Sequence, residues 1–247
     1  MKIESIVDRA SRQIQEWIVT GRFKPGEQIK EENISQRLEI SRPPVREALK
    51  MLEATGLVLR KPRRGVFVPH LTKKDIWEIY TLKAVLYELA VTLAMDTISP
   101  KEIDELEALV QEMEVSVKND PGNLLRYQKL HKAFHDSIMT IAGNTRLKTF
   151  ASNLHNQVTP FSYRSLQHRD HLFSSVAYHR RIVEAIKKKD RSLACSLMKE
   201  HVLNALNVFS EMLDLGQETT AVLPSRGRGA GIDKDNRRYP RVANNLF

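Results

Sequence analysis

The sequence predicts a mainly α fold in two parts, an N-terminal winged helix-turn-helix with a small β-hairpin and a C-terminal all-α helical bundle. Three observations lead there. Apolar residues recur at helical spacing over most of the 247-residue chain, β-prone runs are confined to residues 57–68, and turn signals separate the helical stretches. The length suffices for a hydrophobic core without disulfide staples. A single cysteine, Cys195, and an N-terminus without a signal-peptide pattern point to a reducing cytoplasm. Apolar runs fall far short of the roughly 20 residues that span a bilayer, so no membrane association is expected.

Each element follows from local chemistry. Ile3, Ile6, Val7, Ala10, Ile14, Trp17 and Ile18 share one helical stripe, and Gly21 ends that helix. Lys24-Pro25-Gly26-Glu27 is a turn, residues 31–38 form a short helix, and Ser41-Arg42-Pro43-Pro44 opens a third that runs to about Thr55. Residues 57–60 and 65–68 are short β-prone runs joined by Lys61-Pro62-Arg63-Arg64, which makes a hairpin with a basic tip. From Thr72 onward six helices are expected, over 73–97, 100–118, 122–142, 145–168, 172–188 and 190–214. Residues 215–247 hold Pro, Gly and scattered Arg with little apolar content, so a disordered basic tail is expected there. The expected division is therefore a winged module over 1–70, an all-α module over 71–214, and the tail.

Charge divides along the same lines. The chain carries a net +9, and residues 1–70 hold 14 Lys and Arg against 9 Asp and Glu, whereas residues 71–214 are nearly balanced at 19 against 18. A basic first module on a neutral second one suggests that the first meets a polyanion, with double-stranded DNA the natural partner of its fold. On the third helix, Val45, Ala48, Leu49 and Leu52 form one stripe while Arg42, Arg46 and Lys50 form another. One face docks on a core, and the other offers cations to phosphates or to guanine edges in a major groove. Three cations on a solvated face give the same pattern, and spacing alone leaves both readings open.

The wording of this segment goes further. Pro25-Gly26-Glu27, Glu31, Ser41-Arg42-Pro43-Pro44-Val45-Arg46-Glu47-Ala48-Leu49, Gly56-Leu57-Val58 and Gly65-Val66-Phe67-Val68 together resemble the GntR family of bacterial transcription regulators. That resemblance implies that Ser41, Arg42, Pro44 and Arg46 lie against the groove and that the tip at Arg63, Arg64 and Gly65 approaches the minor groove or backbone. Pro43 departs from it, since the family usually has Thr there. Pro43 and Pro44 lack the N–H groups that a Ser41 cap would receive. Two outcomes follow: Arg42 is the true cap, or the Ser41 hydroxyl is left free for a phosphate.

Four of the eight histidines form a pattern. His131 and His135 are i, i+4 beside the apolar stripe Tyr127, Leu130, Phe134 and Ile138, while His179 and His201 lie within apolar faces of their own helices. If those two helices pair antiparallel about Asp190, each histidine stands 11 residues from the turn, about 16 Å along. Neutral imidazoles converging at one depth suit Zn²⁺, Ni²⁺ or a similar divalent transition metal, although hydrogen-bonded core histidines are the plainer alternative. Phe134-His135, Gly143-Asn144-x-x-Leu147, His179-Arg180-x-Ile182-Val183-x-Ala185-Ile186 and His201 are similar to the FCD effector domain of the FadR branch. In that resemblance His131, His135, His179 and His201 are the metal ligands, with His131 standing where the family has Asp or Asn. It also implies that the first helix of the domain lines an effector pocket, which makes Lys83 and Tyr87 candidates for ligand contact, in place of the family's Arg and Glu. His155, His168 and His171 are expected at the surface or in local hydrogen bonds, and His70 in a linker.

These features describe a transcription regulator, not an enzyme, that binds a palindromic operator as a homodimer and answers to a small organic acid bound at or near the metal. A regulator whose second domain only dimerises, with a structural metal or none, is one alternative; a metal-dependent hydrolase is a remoter one. Against the latter, the sequence shows no nucleophile elbow, P-loop or dinucleotide fingerprint.

Overall fold

A computed structural model describes residues 4–220 of the chain, with side chains to 212. Its N-terminal part contains α1 (Ile6–Val19), α2 (Glu31–Leu38) and α3 (Arg42–Ala54). Helix α1 starts where Ser5 Oγ accepts from the Asp8 amide at 3.0 Å. Ile14, Ile34, Val45, Ala48 and Leu49 are fully buried where the three helices meet. The wing is a three-stranded antiparallel sheet of β1 (Gln28–Ile29), β2 (Leu59–Lys61) and β3 (Gly65–Phe67), in the order β1-β3-β2. Lys61 faces Gly65 and Leu59 faces Phe67 across the hairpin, and Gln28 faces Phe67 on the other edge. The hairpin stands within the β-prone region, with β2 beginning two residues later than the run at 57–60 and β3 inside the run at 65–68; the edge strand β1 was not expected.

The remainder is a helical bundle: α4 (Lys73–Thr97), α5 (Pro100–Asn119), α6 (Leu124–Ile141), α7 (Thr145–Ser165), α8 (Arg169–Lys187) and α9 (Arg191–Thr220). Reciprocal caps start α4 and α5, with Thr72 paired to Asp75 and Ser99 to Glu102. Helix α9 packs along α4 and α8, while α5 packs on α6 and α8. An Arg180 fork to Glu114, with Nε–Oε1 at 2.8 Å and Nη2–Oε2 at 2.7 Å, ties α8 to α5. Helix α8 starts three residues earlier than the spacing suggests, at Arg169, and α9 continues past 214 to Thr220. The rest of the expected tail, from residue 221, lies outside the described residues.

Buried apolar side chains fall into two clusters, one spanning Ala10 to Val68 and the other Ile76 to Phe209. Between them, the turn after α3 meets α7. A Cβ placed on Gly56 would stand 3.2 Å from Gln157 Cγ and 3.6 Å from the Asn153 carbonyl oxygen. The first module thus rests on a bundle helix.

Candidate functional site

The first candidate surface is built by α3. Val45, Ala48 and Leu49 turn inward and are buried, which leaves Arg42, Arg46 and Lys50 on the exposed side. Each cation has a carboxylate partner: Arg42 Nη2 meets Glu32 Oε1 at 3.0 Å, Arg46 Nη2 meets Glu31 Oε2 at 3.0 Å, and Lys50 Nζ meets Glu47 Oε1 at 2.9 Å. The hydrogen bond that Arg46 donates to the Glu31 carboxylate raises the Arg46 pKa above its ordinary value. Ser41 is the N-cap by its backbone angles, φ −68° and ψ 162°, yet its side chain makes no capping bond. Pro43 and Pro44 remove donors from the first turn, so of the two outcomes left open by the sequence the structure has the uncommitted hydroxyl.

At the wing tip, Arg63 and Arg64 are exposed and Gly65 is half-buried. Arg63 adopts φ 59° and Gly65 φ 99°, the tight reversal that closes the hairpin. Gln28 Nε2 donates to the Arg64 carbonyl at 2.7 Å, so the edge strand braces the tip. The tip and the cationic face of α3 are the basic features this module offers to a polyanion.

The second candidate site lies inside the bundle. One ligand atom from each of His131, His135, His179 and His201 falls within 4.8 Å of every other. Helix α6 supplies the first two from successive turns, while α8 and α9 bring His179 and His201 to a ring separation of 4.5 Å. His135, His179 and His201 are buried and His131 is half-buried. The Nε2 atoms of His135 and His179 stand 3.2 Å apart. That is close to the ~3.3 Å edge between two nitrogens each about 2.0–2.1 Å from a tetrahedral zinc. His179 Nδ1 donates to the Ser175 carbonyl at 2.5 Å, which turns the Nε2 lone pair toward the cluster.

Burial keeps these imidazoles neutral. It holds His179 down to about 4, and it lowers His131, His135 and His201 well below the ordinary range, with neighbouring imidazoles adding to the effect. Neutral, converging nitrogens are the state a divalent transition metal requires, so the residues fit the group.

Beside the cluster lies a cavity of about 40 Å³, room for a few water molecules. Lys83 and Tyr87, both buried, line it. Burial lowers the Lys83 ammonium to about 7, and its Nζ lies 4.7 Å from the Tyr80 ring centre and 5.4 Å from that of Tyr87. His155 and His171, expected at the surface or in local hydrogen bonds, instead line the cavity and are buried. His171 was misplaced because α8 begins early enough to include it. His155 had a readable signal, since Leu147, Ala151, His155 and Val158 follow one helical stripe. His168, at the α8 N-cap, is exposed, and His70 lies in the linker between β3 and α4.

Each module of the chain matches a known family. Residues 6–68 match the bacterial regulatory proteins of the gntR family, and residues 78–204 match the FCD domain. The chain is 33% identical to an uncharacterised HTH-type transcriptional regulator, YdhC of Bacillus subtilis (strain 168), over 81% of its own length and 88% of that protein's. It is 28% identical to the gluconate operon transcriptional repressor of the same organism, over 75% and 77% of the two chains. Its fold follows that of Escherichia coli McbR/YncC with a TM-score of 0.73 at 20% identity, covering 85% of this chain and all of that one. No described helix is long and apolar enough to cross a membrane. With a winged N-terminal module, a helical C-terminal one and relatives named as regulators, the chain belongs to the GntR family and is a DNA-binding transcription regulator with an FCD domain.

Proposed function

We propose that this regulator's operator binding is controlled by a small organic acid held at a divalent metal in the histidine cavity. The observation that carries the reading is the convergence of His131, His135, His179 and His201 beside a buried lysine and an enclosed space. In this reading residues 1–70 form the DNA-binding unit and residues 71–214 the effector-binding and dimerisation unit of a cytoplasmic homodimer. Ser41, Arg42, Pro44, Arg46 and Lys50 meet the major groove of a palindromic operator, and Arg63, Arg64 and Gly65 meet the minor groove or backbone.

The four histidines hold the metal, zinc or nickel by donor type, which when bound offers a Lewis-acid pole to a carboxylate. Lys83 supplies a second positive pole, and Tyr87 closes the wall beside His135, their rings 5.1 Å apart. Helix α7 connects the two sites: His155 faces the cavity, while Asn153 and Gln157 meet the turn at Gly56. A ligand that favours one placement of α7 thereby favours one placement of the winged module. Catalysis is not part of this reading, because among the described residues no carboxylate lines the cavity to serve as a general base.

The test is metal content by elemental analysis of protein purified without a His tag. It compares the wild type with a His179→Ala/His201→Ala double variant whose folding is checked by circular dichroism. About one metal per wild-type chain, absent from the folded variant, supports the reading. A well-folded wild type that takes up neither zinc nor nickel overturns it.

A further inference from the structure

The charge balance of the cavity narrows the class of ligand. We propose that the site selects dianionic acids, dicarboxylates above all, and that His155 and His171 are contact residues for them. This rests on the metal-bearing cavity proposed above. All four candidate metal ligands are imidazoles, so a divalent ion placed among them keeps both of its charges. Lys83 is buried in the same wall. Among the described residues no Asp or Glu lines this space. Asp136 opens instead onto an adjoining cavity of about 10 Å³ and is paired there with Lys132. Uncompensated charge is costly in a low-dielectric interior. A monocarboxylate leaves the site positive; two negative charges from the ligand balance the ion.

The wall also carries hydrogen-bonding capacity that the protein does not use. His155 and His171 are 6% and 8% exposed, yet His155 Nε2 and His171 Nδ1 have no protein partner. They come from different helices, α7 and α8, and neither belongs to the metal cluster. Buried polar nitrogens ordinarily find partners. A neutral imidazole donates through one nitrogen and accepts through the other, which suits an acid rich in carboxylate and hydroxyl oxygens.

The test uses the full-length chain loaded with zinc and calorimetric titration of two four-carbon acids, succinate and butyrate, with metal content measured before and after. Wild type is expected to bind succinate about tenfold or more tightly than butyrate, one further hydrogen-bonded charge being worth roughly that factor. His131→Asp adds a negative charge to the ligand set and Lys83→Met removes a positive one, and each is expected to bring the ratio toward one. His155→Gln with His171→Gln is expected to weaken succinate binding severalfold at unchanged metal content. Equal affinities in metal-loaded wild type, or an unchanged ratio in both charge variants, overturn the dianion inference. Undiminished succinate binding in the His155 and His171 variant overturns their assignment as contacts. A chain that takes up no metal overturns this inference together with the proposed function, so the two failures are distinguishable.

Discussion

The Glu31 carboxylate on α2 grips the Arg46 guanidinium on α3, with Arg46 Nε 3.2 Å from both carboxylate oxygens and Nη2 3.0 Å from Oε2. In the free chain the arginine best placed to read a base is thus already oriented, and partly neutralised, by a neighbouring helix. A base edge has to share or replace that partner, whereas a phosphate met at random gains less from it. Glu31→Gln is expected to raise affinity for random-sequence DNA and to narrow its gap from an operator selected out of a random pool. Arg46→Ala is expected to lose roughly tenfold or more of that discrimination. Competition binding at two salt concentrations checks both. Equal weakening of specific and non-specific binding by Arg46→Ala removes the base-reading role.

Ser41 gives a prediction of the opposite kind. A serine cap is ordinarily worth about 1 kcal/mol, through a bond that Ser41 does not make and Ser99 does. Ser41→Ala is therefore expected to leave the thermal midpoint unchanged while lowering DNA affinity severalfold. Ser99→Ala is expected to lower the midpoint and leave DNA affinity alone. A stability loss in Ser41→Ala comparable to that of Ser99→Ala contradicts the uncommitted hydroxyl.

Legibility in the sequence followed the strength of the periodic signal. Val45, Ala48 and Leu49 against Arg42 and Arg46 mark two sides of α3 over several turns, and the structure keeps both sides. His131 and His135 are one turn apart on a long amphipathic helix, which locates them on one face from spacing alone. Strand β1 is two residues long and carries no alternation to detect; its pairing with β3 is a tertiary event. His171 depended on where α8 begins, and helix ends are set by capping chemistry that is weak there, since His168 makes no side-chain cap. What spacing did not reveal was that His155 and His171 join Lys83 around one cavity, because the three come from different helices brought together only by packing.

The buried histidines set a pH dependence. Burial holds His179 and His171 at about 4, against about 6.5 in an unfolded chain. Between those values the unfolded state binds more protons, so stability rises with pH. The contribution is complete above about pH 6.5 and is lost as pH falls toward 4, at roughly 1.4 kcal/mol per pH unit for each histidine inside the window. His131, His135, His155 and His201 act in the same direction. Urea midpoints of metal-free protein are expected to fall clearly between pH 7.5 and 5.5. Replacing His171 by Gln should flatten that slope, and a pH-independent midpoint in the wild type contradicts the neutral, buried state.

Helix α7 provides the test of communication between the modules. His155 faces the cavity, and two residues further along, Gln157 Cγ meets the turn at Gly56, so one rigid element touches both sites. Ligand control of DNA affinity is a coupling free energy carried by such a shared element, and it acts equally in both directions. Gln157→Ala removes side-chain contact at the turn without touching the cavity. Metal content and succinate affinity are expected to stay at wild-type values. The change in DNA affinity on adding metal and succinate, expected at about fivefold or more in wild type, should shrink toward none in the variant. The reciprocal measurement, succinate affinity with and without DNA, should lose the same factor. A variant that keeps the full coupling in both directions removes α7 from the route and directs attention to other contacts between the two halves of the chain.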